Sequence, residues 1–311
     1  MAGASGVMQM LFSASAGMVI AGFKPSSPAI IATPSNVWDN LGHTKADFGF
    51  VLPPLLNIWA QDPLKVAGMA KLDGILYGGG PVASPIGDKL AHNGVALFPL
   101  FGSSEGGLMN TVFTSGLGRD WEYFSFYLLC NPAFKSLEDD DRSVELIIKS
   151  GAYHRPTRFN TDFDGAPAFA TGDVLVQHPS KPRLWKFSCR EDDRETLPTG
   201  TKINARALER IMMAHSAITG AVVFSSRSGI GAIIDLSKEC VDKQLSVFDT
   251  QQAIRSALEN VNAVTAPDVK LTIERCLFTS VDRPFAYGEK GMPRRQHAKA
   301  QYKREIDELS L

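Results

Sequence analysis

The sequence predicts an α/β chain in two parts: βα layers that run into a small barrel-like β sheet, then a small α+β domain. Three observations carry this. Short apolar runs at 48–52, 73–77 and 95–100 alternate with helical patterns at 36–43 and 84–93, as βα units do. From Trp121 the texture changes to strand-like runs at 121–126, 144–148 and 184–187, separated by Pro, Gly and Asp turns, which is the mark of antiparallel pairing. After Arg190 the apolar content collapses into Glu191-Asp192-Asp193-Arg194-Glu195-Thr196, a surface connection that places the boundary between domains 1–191 and 192–311.

The elements follow in order. Residues 1–23 carry no charge but include Ser5, Gln9, Ser13 and Ser15, lack a basic leader and run into Lys24-Pro25-Ser26-Ser27-Pro28. They read as a buried helix followed by a strand rather than as a membrane span or a signal peptide. Beyond the boundary, 205–216 reads as helix, 221–224 and 232–234 as strands, 251–261 as helix and 296–309 as one terminal helix. There is no internal repeat.

Composition narrows the function classes. The 311 residues are 44% hydrophobic with a net charge of -1, enough for real cores and no electrostatic case for nucleic acid or an anionic membrane. A soluble, cytoplasmic protein is the expectation. Cys130, Cys189, Cys240 and Cys276 lie far apart with no CxxC pair, so they read as reduced thiols rather than zinc ligands. The six histidines are scattered, the acidic run Glu138-Asp139-Asp140-Asp141 reads as a solvated loop, and the basic residues of the tail alternate with Glu305, Asp307 and Glu308 as on a solvated helix.

Two glycine turns carry the chemistry. Tyr77-Gly78-Gly79-Gly80-Pro81 follows the apolar run at 72–76, and Phe101-Gly102-Ser103-Ser104-Glu105-Gly106 follows the one at 95–100, both where buried strands end and open α/β sheets bind ligands. Glycine at 79, 80 and 102 lets backbone approach a ligand, Phe101 offers a face to a base, Ser103 and Ser104 offer hydroxyls to phosphate or carboxylate oxygens, and Glu105 offers a carboxylate to a divalent cation. Such turns also occur as plain βα connections. Downstream lie Phe169-Ala170-Thr171-Gly172-Asp173, whose carboxylate suits a ribose diol, then Arg190-Glu191-Asp192-Asp193, and Lys290 in the glycine-flanked loop Tyr287-Gly288-Glu289-Lys290-Gly291.

In order and spacing this set resembles the adenylate-forming superfamily of acyl-CoA synthetases and nonribosomal-peptide adenylation domains, with the nearest likeness to fungal adenylate-forming reductase-like proteins. The resemblance covers nearly the whole chain. It implies the C-terminal part of a large AMP-binding domain over 1–191, a mobile lid over 192–311, and ATP/AMP, Mg2+ and a small carboxylic acid as ligands. It implies that Phe101 stacks on adenine, Ser104 contacts phosphate or carboxylate, Glu105 holds Mg2+, Asp173 and Arg190 hold the ribose, and Lys290 is the lysine of adenylation. A carrier domain or an N-terminal half is the implied partner.

The chain also departs from the pattern. The family's Ser/Thr/Gly-rich phosphate loop ending in Lys is not among these residues, so the chain is expected to be weak or inactive alone and to leave apolar surface uncovered near its N-terminus. A non-catalytic AMP- or partner-binding remnant and one half of a split enzyme are the alternatives. Cys189 stands where the family has a glycine before the hinge arginine, and 194–198 ends in Pro198 where a strand is expected. The carboxylic acid itself is not specified by these residues.

Overall fold

Parallel pairing of three short strands organises the first part of the chain in the computed structural model. The structure describes residues 11–114, 118–137, 140–227, 229–238, 240, 247–267, 269–288 and 291–309. Strands β1 (Phe48–Val51), β2 (Gly74–Gly78) and β3 (Leu97–Leu100) form a parallel sheet in that order. All five residues of β2 are buried, as expected of a central strand covered on both faces. Helices α1 (Pro34–Thr44), α2 (Pro53–Trp59), α3 (Pro63–Met69) and α4 (Ser84–His92) surround it. Their core is built on Leu56, Trp59, Met69, Ile75, Leu90 and Trp121.

Local chemistry fixes these helices. Thr33 and Asn36 form a reciprocal capping box at the start of α1, with Pro34 at its first turn. Asp62 caps α3 by accepting from the Leu64 and Lys65 amides. Sequence periodicity finds α1 and α4 but not α2 and α3. Each of the latter is only seven residues long and opens on proline, which reads as a breaker inside a window too short for helical period.

The second sheet is antiparallel and open. Its strands are β6 (Pro132–Leu137), β7 (Asp140–Lys149), β8 (Thr161–Phe163), β9 (Ala166–Gln177) and β10 (Trp185–Arg190), ordered β10-β9-β7-β6 with β8 on the first residues of β9. The barrel-like closure expected from sequence is not made, because β6 and β10 remain at opposite edges. The run 121–126 is not a strand either. It contributes isolated bridges, Phe124 with Trp185 and Phe126 with Asn110, while Trp121 turns into the first core and donates to Asp88 at 2.9 Å.

The N-terminal reading also needs correction. Residues 11–16 are helical but largely exposed, and no strand follows among the described residues up to Thr33. Glycine and proline interrupt the segment, so it offers no regular run for a strand ladder. Val19 is 96% exposed and Ile31 82%, so this flank does present apolar side chains outward.

The chain divides into two compact units, 1–188 and 189–311. The second unit opens with the hairpin β11 (Arg194–Thr196) and β12 (Lys202–Asn204). Pro198 therefore costs no ladder bond: it sits in the turn closed by the Leu197 amide donating to Thr201 O at 2.8 Å. Then come α5 (Ala205–Met213), β13 (Ile218–Ser226), β14 (Gly229–Leu236), α6 (Val247–Val264), β15 (Cys276–Phe278), α7 (Arg295–Gln301) and α8 (Lys303–Glu308). β13 and β14 are antiparallel, β14 and β15 parallel. The single tail helix expected at 296–309 breaks at Tyr302, whose buried ring lies under the Arg283 guanidinium at 4.5 Å and whose hydroxyl donates to Arg283 O.

Gly87 in α4 tests this packing. A Cβ there would come within 2.0 Å of the Trp121 ring, so Gly87→Ala is expected to lower stability by about 1–3 kcal/mol through overpacking. Urea denaturation followed by tryptophan fluorescence reads this; an unchanged midpoint contradicts the packing described.

Candidate functional site

The two glycine turns leave the sheet side by side. Gly78 of β2 pairs with Leu100 of β3 in a parallel ladder, so the next residues, Gly79 and Phe101, emerge at adjacent strand ends on the carboxyl edge, where open α/β sheets take ligands. Gly79 has φ +81, a conformation that favours glycine, and a Cβ at Gly80 would meet nothing within 4 Å. Both are exposed.

The second turn is tightly built. Strands β4 (Gly102–Ser103) and β5 (Gly107–Leu108) form a minimal hairpin. A Cβ on Gly102 would lie 2.3 Å from Gly107 O, so this position takes glycine alone. Ser103 Oγ accepts from the Gly106 amide at 3.0 Å, which engages it inside the turn, whereas Ser104 is exposed. Glu105 is half-buried. Its carbonyl accepts from the Thr157 amide at 2.9 Å and from Thr157 Oγ1 at 3.4 Å, and its carboxylate makes no hydrogen bond or ion pair among the described residues. Phe101 is half-buried, its ring stacked on Phe124 with centroids 4.8 Å apart and meeting Phe126 edge-on.

Asp173 occupies a kink in β9. Val174 pairs with Glu145 and Ala170 with Ile147, so residues 171–173 face Leu146 alone, a bulge in which Gly172 takes φ +70. Thr171 Oγ1 donates to Leu146 O at 2.9 Å and accepts the Asp173 amide at 3.0 Å. Asp173 is 8% exposed. Two residues on, Leu175 joins the cluster of Phe124, Phe126 and Trp185 on which Phe101 packs. Gly79, Gly80 and Phe101–Glu105 thus share one edge, and Asp173 stands on the strand whose Leu175 shares the apolar wall behind Phe101. Arg190 ends β10 and belongs to the second unit. Lys290 and Glu289 lie outside the described residues.

The stem of the loop that contains residue 290 is well held. The Arg294 amide donates to Ala286 O and the Gly288 amide to Met292 O, both at 2.8 Å. Tyr287 OH donates to Asp235 at 2.5 Å, and burial together with that bond pushes the phenol above its ordinary range. Arg206 Nη1 donates to Pro293 O at 3.3 Å. Sequence pattern missed this frame, because its partners are far apart in the chain.

One buried ion network explains the frame. β13 is an edge strand, and its outward Val223 and Ser225 amides donate to the Glu209 and Glu195 carboxylates, while Val223 O accepts from Arg295. Arg295 is buried, and the same guanidinium pairs with Glu209 and, at 2.5 Å, with Glu195. Burial pulls its pKa below the ordinary value, opposed by Glu195 and Asp193. An otherwise open sheet edge is thereby covered and satisfied.

Comparison with known proteins gives the chain its family. The AMP-binding enzyme C-terminal domain family matches residues 192–310. The chain is 31% identical to the adenylate-forming reductase Nps10 of Heterobasidion annosum over 97% of its own length, but that is 28% of the relative's. It spans about a quarter of the curated relatives it matches. Among solved structures it is similar to the A-PCP didomain of carboxylic acid reductase from Segniliparus rugosus in complex with AMP, with a TM-score of 0.60 at 17% identity, covering 88% of this chain and 43% of that one. It is also similar to o-succinylbenzoate CoA synthetase from Bacillus subtilis in complex with OSB-AMP, with a TM-score of 0.65 at 15% identity, covering 94% and 58%. The chain belongs to the adenylate-forming superfamily. Within it, its sequence relatives include fungal adenylate-forming reductases. No helix among the described residues is long and apolar enough to cross a membrane.

Two expectations follow. Arg295→Met removes the cation shared by two buried carboxylates, leaving Glu209 to Arg206 and Glu195 to Lys299, so the second unit should lose about 3 kcal/mol; a melting temperature within a degree of wild type contradicts the network's role. His154 Nε2 is buried without a hydrogen-bond partner among the described residues, and burial holds the imidazole below its ordinary pKa. The unfolded chain therefore takes the proton first, and stability should fall as pH drops below about 6.5 toward the folded value. Denaturant midpoints across pH 7.5–5.5 should show a slope that His154→Gln flattens; equal slopes contradict it.

Proposed function

We propose that this chain supplies the nucleotide-binding edge and lid of a carboxylic-acid-activating adenylation enzyme, which forms acyl-AMP from ATP. The observation that carries the reading is the parallel register of Gly78 with Leu100, which sets both glycine turns on one edge in a chain of this superfamily. The similar solved structures hold AMP or an acyl-adenylate, and that chemistry suits the residues present. The base stacks on the exposed part of Phe101 and extends the Phe101–Phe124 pair. Ser104 and the amides of Gly79 and Gly80 meet the phosphate or the substrate carboxylate, and Asp173 with Arg190 takes the ribose hydroxyls.

Adenylation forms a bond from a carboxylate oxygen to the α-phosphorus and breaks the bond to pyrophosphate. Two anions must be aligned and their charge offset. Lys290, from the second unit, supplies a cation that bridges the carboxylate and α-phosphate oxygens, and the second unit is the mobile lid that delivers it. Glu105 fits a Mg2+ carried by the nucleotide, because its carboxylate has no protein partner among the described residues and such ions need only one or two carboxylates beside phosphate oxygens. Mg2+ supplies charge neutralisation there; Glu105 orients it. The acid is a small carboxylic acid, and a carrier domain is the fitting acyl acceptor.

These 311 residues contain no phosphate loop, which elsewhere in the superfamily's chemistry offsets triphosphate charge with backbone amides and lysine. The chain alone is therefore inferred to bind AMP while turning over ATP weakly. Calorimetry should detect AMP binding that Phe101→Ala weakens about tenfold or more. Carboxylate-dependent ATP/pyrophosphate exchange should be near background for the chain alone, appear when a polypeptide carrying the phosphate loop is added, and vanish with Lys290→Ala. Strong exchange by the chain alone overturns the weakness, and restored exchange indifferent to Lys290→Ala overturns the lysine's role.

A further inference from the structure

One side chain ties the Phe101 turn to both of its flanks. Asn110 is 3% exposed. Its Oδ1 accepts from the Phe101 amide at 2.8 Å, and its Nδ2 donates to Pro99 O at 2.8 Å and to Thr111 O at 3.1 Å. Both amide protons and the oxygen are used. The reversed orientation would set an oxygen against two carbonyls, so the network itself fixes which atom is which. The neighbouring Met109 amide donates to Phe101 O at 3.0 Å, so Phe101 is held at its N–H and its C=O by consecutive residues.

That brace is in turn stitched to the wall behind the ring. The Thr111 amide donates to Ser125 O and the Tyr127 amide to Met109 O, both at 2.9 Å. Residues 125–127 flank Phe124, the stacking partner of Phe101, and contain Phe126, its edge-on neighbour. One register thus sets both where the Phe101 backbone sits and which rings it leans on. No other side chain supplies this: aspartate has the acceptor but no donors, leucine the shape but neither, and glutamine is a methylene too long.

We propose that Asn110 is the positioning residue of the nucleotide site, fixing the Phe101 ring that receives the base. It touches no ligand and acts through Phe101. The proposal rests on the reading of this turn as nucleotide-binding.

The test is a double-mutant cycle on AMP affinity in the full chain, using Asn110→Leu, Phe101→Ala and both together. Each single change is expected to weaken AMP about tenfold. If Asn110 acts through Phe101, the double variant should be little weaker than either single one, whereas an independent, merely structural contribution would multiply to about a hundredfold. A multiplied effect, or Asn110→Leu with wild-type affinity, overturns the proposal and leaves the nucleotide reading standing. Absence of AMP binding by the wild-type chain overturns both.

Asn110→Asp decides the matter if the leucine variant does not fold. It keeps the acceptor for the Phe101 amide but turns an oxygen toward the Pro99 and Thr111 carbonyls. Its AMP affinity should fall at least about threefold below wild type, and combining it with Phe101→Ala should cost little more than Phe101→Ala alone. Wild-type affinity, or a multiplied loss in the double variant, overturns the proposal.

Discussion

The parallel pairing of Gly78 with Leu100 is the constraint on which the candidate site depends. Parallel neighbours run the same way, so both chains must leave the sheet at the same end, and whatever follows each strand is delivered to one edge. Here the next residues are Gly79-Gly80 and Phe101-Gly102. Burial of β2 on both faces makes a slip of register costly, since a one-residue shift would exchange the side chains packed against its two faces. The two glycine turns are loops, but their placement is a property of the core.

Within the second turn, precision comes from short polar ties rather than from bulk. Gly102 admits the close approach of Gly107, Ser103 closes the tip onto Gly106, Thr157 holds the Glu105 carbonyl and Asn110 holds Phe101. Four side-chain or backbone devices thus fix five residues, leaving the Ser104 side chain and the Glu105 carboxylate outside the internal bonding. This is the arrangement expected where a preorganised polar cradle must meet a ligand without reorganising. The second unit solves a different problem with a costlier device: Arg295, Glu195 and Glu209 satisfy an exposed strand edge with buried charge, and the same network anchors α7 just beyond the 286–294 loop.

The fold was largely legible in the sequence, and the failures have physical causes. The apolar runs that became β1, β2 and β3 are buried on both faces, so their signal survives without alternation. Helices α2 and α3 hid behind their own prolines. The run 121–126 looks like a strand because its aromatic residues belong to a core, yet it forms only isolated bridges, at Phe124 and Phe126, and no continuous ladder. Barrel closure was misread because alternation reports a buried face and not whether two edges meet. At the site, glycines and the Phe101–Glu105 run were visible because they are contiguous. Asn110, Thr157 and Arg295 were not, since their roles arise from pairings nine, fifty-two and up to a hundred residues apart.

The central claim is that a nucleotide sits on the shared edge of the two turns. Amide chemical shifts recorded during an AMP titration of the isotopically labelled chain test it most directly. The largest perturbations should fall on Gly79, Gly80 and Phe101 to Glu105, with smaller ones along the bulge at Asp173. Saturable shifts confined to other parts of the chain, or none at millimolar AMP, would contradict the assignment of that edge.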